Sequence, residues 1–300
     1  MPCYRPLHGY IAPGKTASGK RNIVFSPVQG FSDRRVDVPC GSCEGCMLER
    51  SRQWSVRIMH EAATVLDSCF VTLTYDDAHL PEHSSLDHRD VQLFFKSLRK
   101  KGFNIRYFIA GEYGDAGFRP HYHVCLFGLG ETMRDDRGVV LLTSDLLTDL
   151  WGRGIVHVGA LTPESAAYVA RYCFKKLSDG GDPRDKYSFY DETSGKWLSR
   201  KPEYCAMSRR PGIGSAWLAR FGPEVYAEGS VIVKGKEVKP PRYYDEQFKK
   251  VDEVAVDRVA RARAARAYAL RKDNTPDRLL VKQKVLKGRL SQYKRGYENV

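Results

Sequence analysis

The sequence has no apolar run approaching the roughly 18 residues that a membrane span requires. Its start, MPCYRPLHGY, lacks the charged and then apolar layout of a secretory signal. A soluble protein that stays in a cytoplasm, with no membrane partner, is therefore expected. Of the eight cysteines five are scattered: Cys3, Cys69, Cys125, Cys173 and Cys205 stand singly. That is not the framework of a small disulfide-stapled secreted domain, and it fits a reducing compartment. No internal repeat is visible. Hydrophobic residues make up 42% and charged residues 28% of the 300, near globular averages, which excludes a wholly disordered or fibrous chain.

Acidic residues are the remaining shortage. Asp and Glu number 36 against 49 Lys and Arg, a net charge of +13. An excess of this size predicts a polyanionic partner, most often nucleic acid, because neutralised phosphates release condensed counterions. The excess is also localised. Residues 231–300 hold 19 basic against 9 acidic residues, which leaves 30 against 27 for residues 1–230. A nearly neutral body thus precedes a basic tail, and three regions are expected: 1–66, 67–230 and 231–300.

Hydrophobic periodicity predicts helices over 44–66, 86–101 with Asp87 as cap, 144–151, 163–177 and 215–221. Thr162, Pro163 and Glu164 supply a complete set of start signals for the fourth of these. Strands are predicted over 69–75, 105–113, 120–127, 155–159 and 204–207, with a hairpin turning at Gly235. The Gly- and Pro-rich stretch 9–41 and residues 178–201 read as loop, and the tail as helices over 245–269 and 277–292. Strands 105–113 and 120–127 flank a short Gly-rich turn and form a hairpin, so the class is α+β: an antiparallel or mixed sheet flanked by helices.

Four constellations could carry chemistry. In His121-Tyr122-His123, strand alternation sends both imidazoles to one face, close enough to share a cation. Glu112, across the Gly114 to Gly117 turn, would lie opposite them and complete a two-His, one-carboxylate set; Asp115, in the turn, is a competing ligand, and a solvated pair at a strand end is the bland alternative. On the 163–177 helix, Tyr168, Tyr172 and Lys175 share a stripe. A phenol needs a nearby cation to act as a nucleophile at neutral pH, and Lys175 could be that cation; plain core packing is the alternative. Cys40-Gly-Ser-Cys43-Glu-Gly-Cys46 has the spacing of a zinc knuckle lacking one ligand, for which Cys3 is the candidate. An iron–sulfur cluster would use similar ligands, and free thiols are the third reading. Finally, the tail interleaves Tyr243, Tyr244, Tyr268, Tyr293 and Tyr297 with basic residues such as Arg261, Arg263 and Arg266. That mixture suits phosphate contacts and base stacking, to which Arg209, Arg210 and Arg220 could add.

Taken in order, FVTLTY, then GEYG with RPHYHVCLFG, then YVARYCFKK resemble the three motifs of the HUH endonucleases. PCGSCEGC before a Trp-bearing helix, the opening MPCYRPL and the late MSRRPGIGSAWL are similar to VP4-type replication initiators of gokushovirus-like single-stranded DNA phages (Microviridae). The resemblance spans about residues 1–225. It implies a ferredoxin- or RRM-like HUH sheet and a Mg²⁺ or Mn²⁺ ion on His121 and His123. It also implies that Tyr168 and Tyr172 are the alternating nucleophiles of a nickase and strand transferase, with Lys175 as the motif's following lysine. The implied partners are the origin of the phage replicative form and a host helicase and polymerase, in the host bacterial cytoplasm. The competing expectation is a non-catalytic, zinc-containing nucleic-acid-binding protein whose His and Tyr residues only pack.

Overall fold

The computed structural model describes residues 3–17, 19, 21–114, 117–129, 145–175 and 186–292, the side chains of 172–175 and 292 excepted. Two compact units emerge, one of residues 50–260 and one joining residues 1–49 to 261–300.

The 50–260 unit is organised by a five-stranded sheet in the order β10-β5-β6-β4-β7. The strands are β4 (Ser68–Thr74), β5 (Arg106–Tyr113), β6 (Pro120–Phe127), β7 (Val156–Ala160) and β10 (Tyr204–Met207). Every pairing is antiparallel. Alternation along the strands sorts the core into two layers. Val71, Leu73, Ile109, Tyr122 and Val124 face α2 (His88–Lys100) and α3 (Asp145–Trp151), where Phe94, Phe95, Leu98 and Trp151 are buried. On the other face, Phe108, Ala110, Cys125 and Phe127 meet Ile58 of α1 (Glu44–Ala62) and Ala166 and Val169 of α4 (Pro163–Lys175). The class is mixed α+β with an antiparallel sheet, as expected.

Helix α2 begins where Asp87 accepts the Arg89 N–H at 3.0 Å. The Tyr122 hydroxyl binds both the N–H and the carbonyl of Asp87, so the central strand fixes the helix start.

Within the 50–260 unit and the helix that leaves it, the structure departs from the sequence reading in three places. Residues 188–199 form a hairpin, β8 (Ser188–Asp191) and β9 (Lys196–Ser199). It is held by Arg200 stacked 4.2 Å from the Phe189 ring, a tertiary contact that local composition does not signal. Helix α5 (Ser215–Glu228) runs through Pro223 instead of stopping near Phe221, because Tyr226 stacks on Phe248 with centroids 4.5 Å apart. Gly222 makes room, since a Cβ there would meet Phe248 at 2.6 Å. Residues 242–269 are two helices, α6 (Arg242–Phe248) and α7 (Glu253–Ala269), and not one. The hairpin β11 (Val231–Val233) and β12 (Lys236–Val238) turns at Gly235 (φ 72°), as predicted.

Between α1, α5 and α6, His60 is stacked on Trp217 with centroids 3.5 Å apart, and its Nδ1 lies 3.0 Å from the Tyr244 hydroxyl. Burial pushes its pKa down to about 4. The unfolded chain binds that proton below about pH 6.5 whereas the native chain does not. The contribution is therefore complete above pH 6.5 and is lost as pH falls towards 4, a loss of about 3 kcal/mol. Urea titrations at pH 7 and pH 4.5 should show it, and His60→Gln should flatten that limb; an unchanged slope in the variant would refute the assignment.

In the other unit, residues 9–41 are not loop throughout. β1 (Leu7–Lys15) pairs with β2 (Arg21–Val24) and β3 (Arg35–Val38) in a three-stranded antiparallel sheet. Gly9 lets β2 approach, as a Cβ there would meet Ile23 at 2.5 Å. Beyond them α8 (Pro276–Gln292) contributes Leu279 to a small core with Tyr4 and Cys43. No helix among the described residues is long and apolar enough to cross a membrane.

Candidate metal and tyrosine site

The β5–β6 hairpin sets the register that matters: Glu112 pairs with His121 and Ala110 with His123. Glu112, His121 and His123 therefore share one sheet face, and their ligand atoms all lie within 4.8 Å of one another. Glu112 Oε1 is 2.8 Å from His123 Nε2 and 3.6 Å from His121 Nε2. This oxygen is buried without a hydrogen-bond partner among the described residues. Burial raises the Glu112 carboxyl, but the two imidazoles outweigh it and hold the group below the usual carboxylate range.

The far ring nitrogens are also engaged. His121 Nδ1 meets the Arg119 carbonyl at 3.2 Å, which can only accept, so Nδ1 carries a proton and Nε2 is the ring nitrogen turned to Glu112. His123 Nδ1 lies 3.0 Å from Thr72 Oγ1, its cross-strand partner, and Phe70 stacks on the ring at 5.4 Å. Outer contacts of this kind fix tautomer and ring direction in metal sites. An orphaned carboxylate oxygen facing imidazole nitrogens is a set that a divalent cation would satisfy.

Helix α4 supplies the tyrosine. Thr162 and Ser165 cap it reciprocally, with the Ser165 N–H on Thr162 Oγ1 at 3.2 Å and the Thr162 N–H on Ser165 Oγ at 2.9 Å. One turn later the Tyr168 ring stands edge-on to His123, centroids 5.3 Å apart. The helix is held against α1 by Ser51, whose hydroxyl donates to the Ala167 carbonyl at 3.2 Å. Tyr172 and Lys175 are on the same helix, but their side chains lie outside the described residues, as does Asp115.

The second candidate centre is in the unit of residues 1–49 and 261–300. Sulfur separations are 3.6 Å for Cys3 and Cys40, 3.8 Å for Cys43 and Cys3, and 4.0 Å for Cys40 and Cys46. All four Sγ atoms fall within 4.8 Å of one another. A tetrahedron of thiolates at the usual zinc–sulfur bond length has edges of about 3.8 Å. Backbone N–H groups point inward: Cys40 N to Cys3 Sγ at 3.2 Å, Cys43 N to Cys40 Sγ at 3.3 Å and Tyr4 N to Cys43 Sγ at 3.3 Å. Burial raises Cys3 and Cys46, whereas at Cys40 it is outweighed by hydrogen bonds from Cys43 and Ser42, which bring the thiol down to about 6. Four thiols so close cannot all ionise alone, and a cation would resolve the conflict.

The family described as Replication-associated protein ORF2/G2P matches residues 68–177. The Replication-associated protein VP4 of Bdellovibrio phage phiMH2K is 32% identical over 266 residues, covering 83% of this chain and 78% of that protein. The chain belongs to this family of phage replication-associated proteins. Replication-associated protein ORF2 of Spiroplasma virus 4 is 33% identical, covering 71% and 68% of the two chains. ORF4 of Chlamydia phage 1 is 29% identical, covering 71% and 54%. No solved structure matches.

Of the basic residues singled out in this replication-associated protein, Arg209 and Arg210 are exposed between β10 and α5 in the 50–260 unit. Arg261 and Arg266 are exposed on α7 and Arg263 is half-buried there; these three belong to the other unit. Sequence reasoning missed Thr72, which shows its role only once β4 is paired with β6.

Proposed function

We propose that the chain is an HUH-type replication initiator, a metal-dependent endonuclease that nicks single-stranded DNA at the phage origin and rejoins the ends. The observation that carries this is the convergence of Glu112, His121 and His123 with the Tyr168 ring against His123, within a family of phage replication-associated proteins. A Mg²⁺ or Mn²⁺ ion held by these three residues would supply Lewis-acid polarisation of the scissile phosphate.

The chain's own part is nucleophilic. The Tyr168 or Tyr172 hydroxyl gives up its proton and bonds to phosphorus. The bond to O3′ breaks and that oxygen takes a proton, leaving a 5′-phosphotyrosine and a free 3′-OH for rolling-circle synthesis. Lys175 would favour the phenolate. The reverse attack by a DNA 3′-OH closes the displaced circle without a nucleotide cofactor, and a second tyrosine lets one end be held while the other is cut.

We place this chemistry in residues 67–230, and in 1–66 structural Zn²⁺ on Cys3, Cys40, Cys43 and Cys46 would staple the Gly-rich entry to the start of α1. The basic segment 231–300 grips DNA, with Arg209, Arg210, Arg261, Arg263 and Arg266 on phosphates. The partners are the origin of the replicative form and host helicase and polymerase, in the bacterial cytoplasm. Incubation with an origin oligonucleotide and Mn²⁺ should give a covalent adduct that mass spectrometry maps to Tyr168 or Tyr172. An undiminished adduct in the Tyr168→Phe, Tyr172→Phe variant would refute the assignment.

A further inference from the structure

Arg57 is the buried cation that the nuclease chemistry leaves unused. It is 9% exposed, with its guanidinium carbon 4.0 Å from the centroid of Trp54 and 3.8 Å from that of Tyr243. Its Nε donates to the Ile213 carbonyl at 3.0 Å. No carboxylate among the described residues lies within ion-pair distance of it. The nearby acids are committed elsewhere: Glu61 to Arg106 and to the Gly214 N–H, Glu246 to Arg242 at 2.9 Å. A buried guanidinium with no carboxylate paired directly to it is costly, so an anion from outside the chain is expected to contact it.

Arg57 opens into a cleft of about 240 Å³ between the 50–62 part of α1 and α6, lined also by Arg50, Trp54, Arg242, Tyr243 and Glu246. Three guanidiniums face one carboxylate. The walls are firm: the Tyr243 hydroxyl lies 2.6 Å from Ser215 Oγ, and a Cβ at Gly212 would meet that hydroxyl at 2.3 Å. Both aromatic rings spend a face on Arg57, which disfavours base stacking there and leaves the forked donors of the arginines as the recognition chemistry. Planar forks of this kind match phosphate oxygens.

We propose that this cleft binds a phosphodiester of single-stranded DNA outside the cleavage site. The choice of DNA rests on the function proposed above and on placement. The same stretch of α1 holds α4 through Ser51 and through Ser55, whose hydroxyl donates to the Pro163 carbonyl at 3.4 Å. It also packs Trp54 on Phe108 of β5 at 4.9 Å, on the sheet face that carries Glu112. A strand lying on Tyr168 and the His pair is thus on the helical layer that bears the cleft.

The test measures binding of oligo(dT) to the full chain in Mg²⁺- and Mn²⁺-free buffer, where cleavage plays no part, with inorganic phosphate as a second probe. Arg57→Gln should weaken oligo(dT) about tenfold, the worth of one charged hydrogen-bonded contact. It should also reduce the salt slope by roughly 0.7 for the phosphate lost. A variant that melts like the parent and binds oligo(dT) with unchanged affinity and slope overturns the proposal. So does one that loses inorganic phosphate binding alone, which would make the cleft a site for free anions. Should Arg57→Gln fail to fold, Arg50→Ala with Arg242→Ala, both at exposed positions, decides in the same way. Adduct formation is scored separately: no adduct with Arg57-dependent binding refutes only the nicking assignment, whereas adduct with Arg57-independent binding refutes only this one.

Discussion

Replacing His121 and His123 together by Ala is expected to slow adduct formation by about a thousandfold or more, with oligonucleotide binding in metal-free buffer changed by less than about threefold. Losing a Lewis acid at the scissile phosphate forfeits several kcal/mol of transition-state stabilisation, and about 4 kcal/mol corresponds to that factor. The two imidazoles also offset the buried Glu112 charge, so removing both leaves a carboxylate that is only 2% exposed without compensation and lowers stability. Glu112→Gln separates the two effects, because it preserves volume and removes the charge. It should weaken Mn²⁺ binding, read by calorimetry or by the EPR of free Mn²⁺, while the melting temperature holds. Thr72→Val tests the outer contact on His123 Nδ1 and should cost about 10- to 100-fold in metal affinity. His157, cross-strand from Thr72 on the far side from His123, is the control: its Ala variant should behave as the parent. Full activity in the double His variant would end the metal reading of this site.

The parts of this site that were legible in the sequence are those fixed by local period. His121 and His123 share a face because strands alternate, and Glu112 comes opposite His121 because a short turn dictates the register of a hairpin. Tyr168 was placed by the Thr162 cap and helical spacing. Thr72, Phe70 and Arg57 were not legible, because their partners are set by strand pairing or helix packing between distant segments; Arg57 meets Tyr243 across 186 positions of sequence. The same reason explains β8 and β9, held by Arg200 on Phe189 and by the Lys201 N–H on Ser85 Oγ. In β1, Gly9, Pro13 and Gly14 break the alternation that would have announced a strand, and the strand forms because β2 and β3 pair with it on either side.

Loss of the four-cysteine centre should unfold the unit of residues 1–49 and 261–300 while the 50–260 unit stays folded. The asymmetry follows from what each can bury. The larger unit has two apolar layers around a five-stranded sheet and a third cluster among α1, α5, α6 and α7. The smaller unit's core consists of Tyr4, Cys43 and Leu279, with Leu286 and the other three cysteines partly buried around them. Its sheet leaves Leu7 and Ile23 exposed, as is Phe25 just after β2. So small an apolar core does not offset the entropy of ordering the chain, whereas zinc on four thiolates contributes on the order of 10 kcal/mol of apparent folding free energy. The ion pair and hydrogen bond that tie α8 to Glu44, from Lys287 at 3.0 Å and Gln283 at 2.6 Å, are each worth about a kcal/mol and cannot substitute. Cys43→Ser removes the most buried ligand. The expected result is loss of bound zinc by elemental analysis, rapid proteolysis within residues 3–49 and 261–292, and a surviving resistant fragment that retains the thermal transition of the sheet. Co²⁺ in place of zinc should give the sulfur-to-metal absorption of a tetrahedral thiolate site in the parent and not in the variant. A Cys43→Ser protein that contains no metal yet resists protease as the parent does would show that apolar packing alone holds this unit.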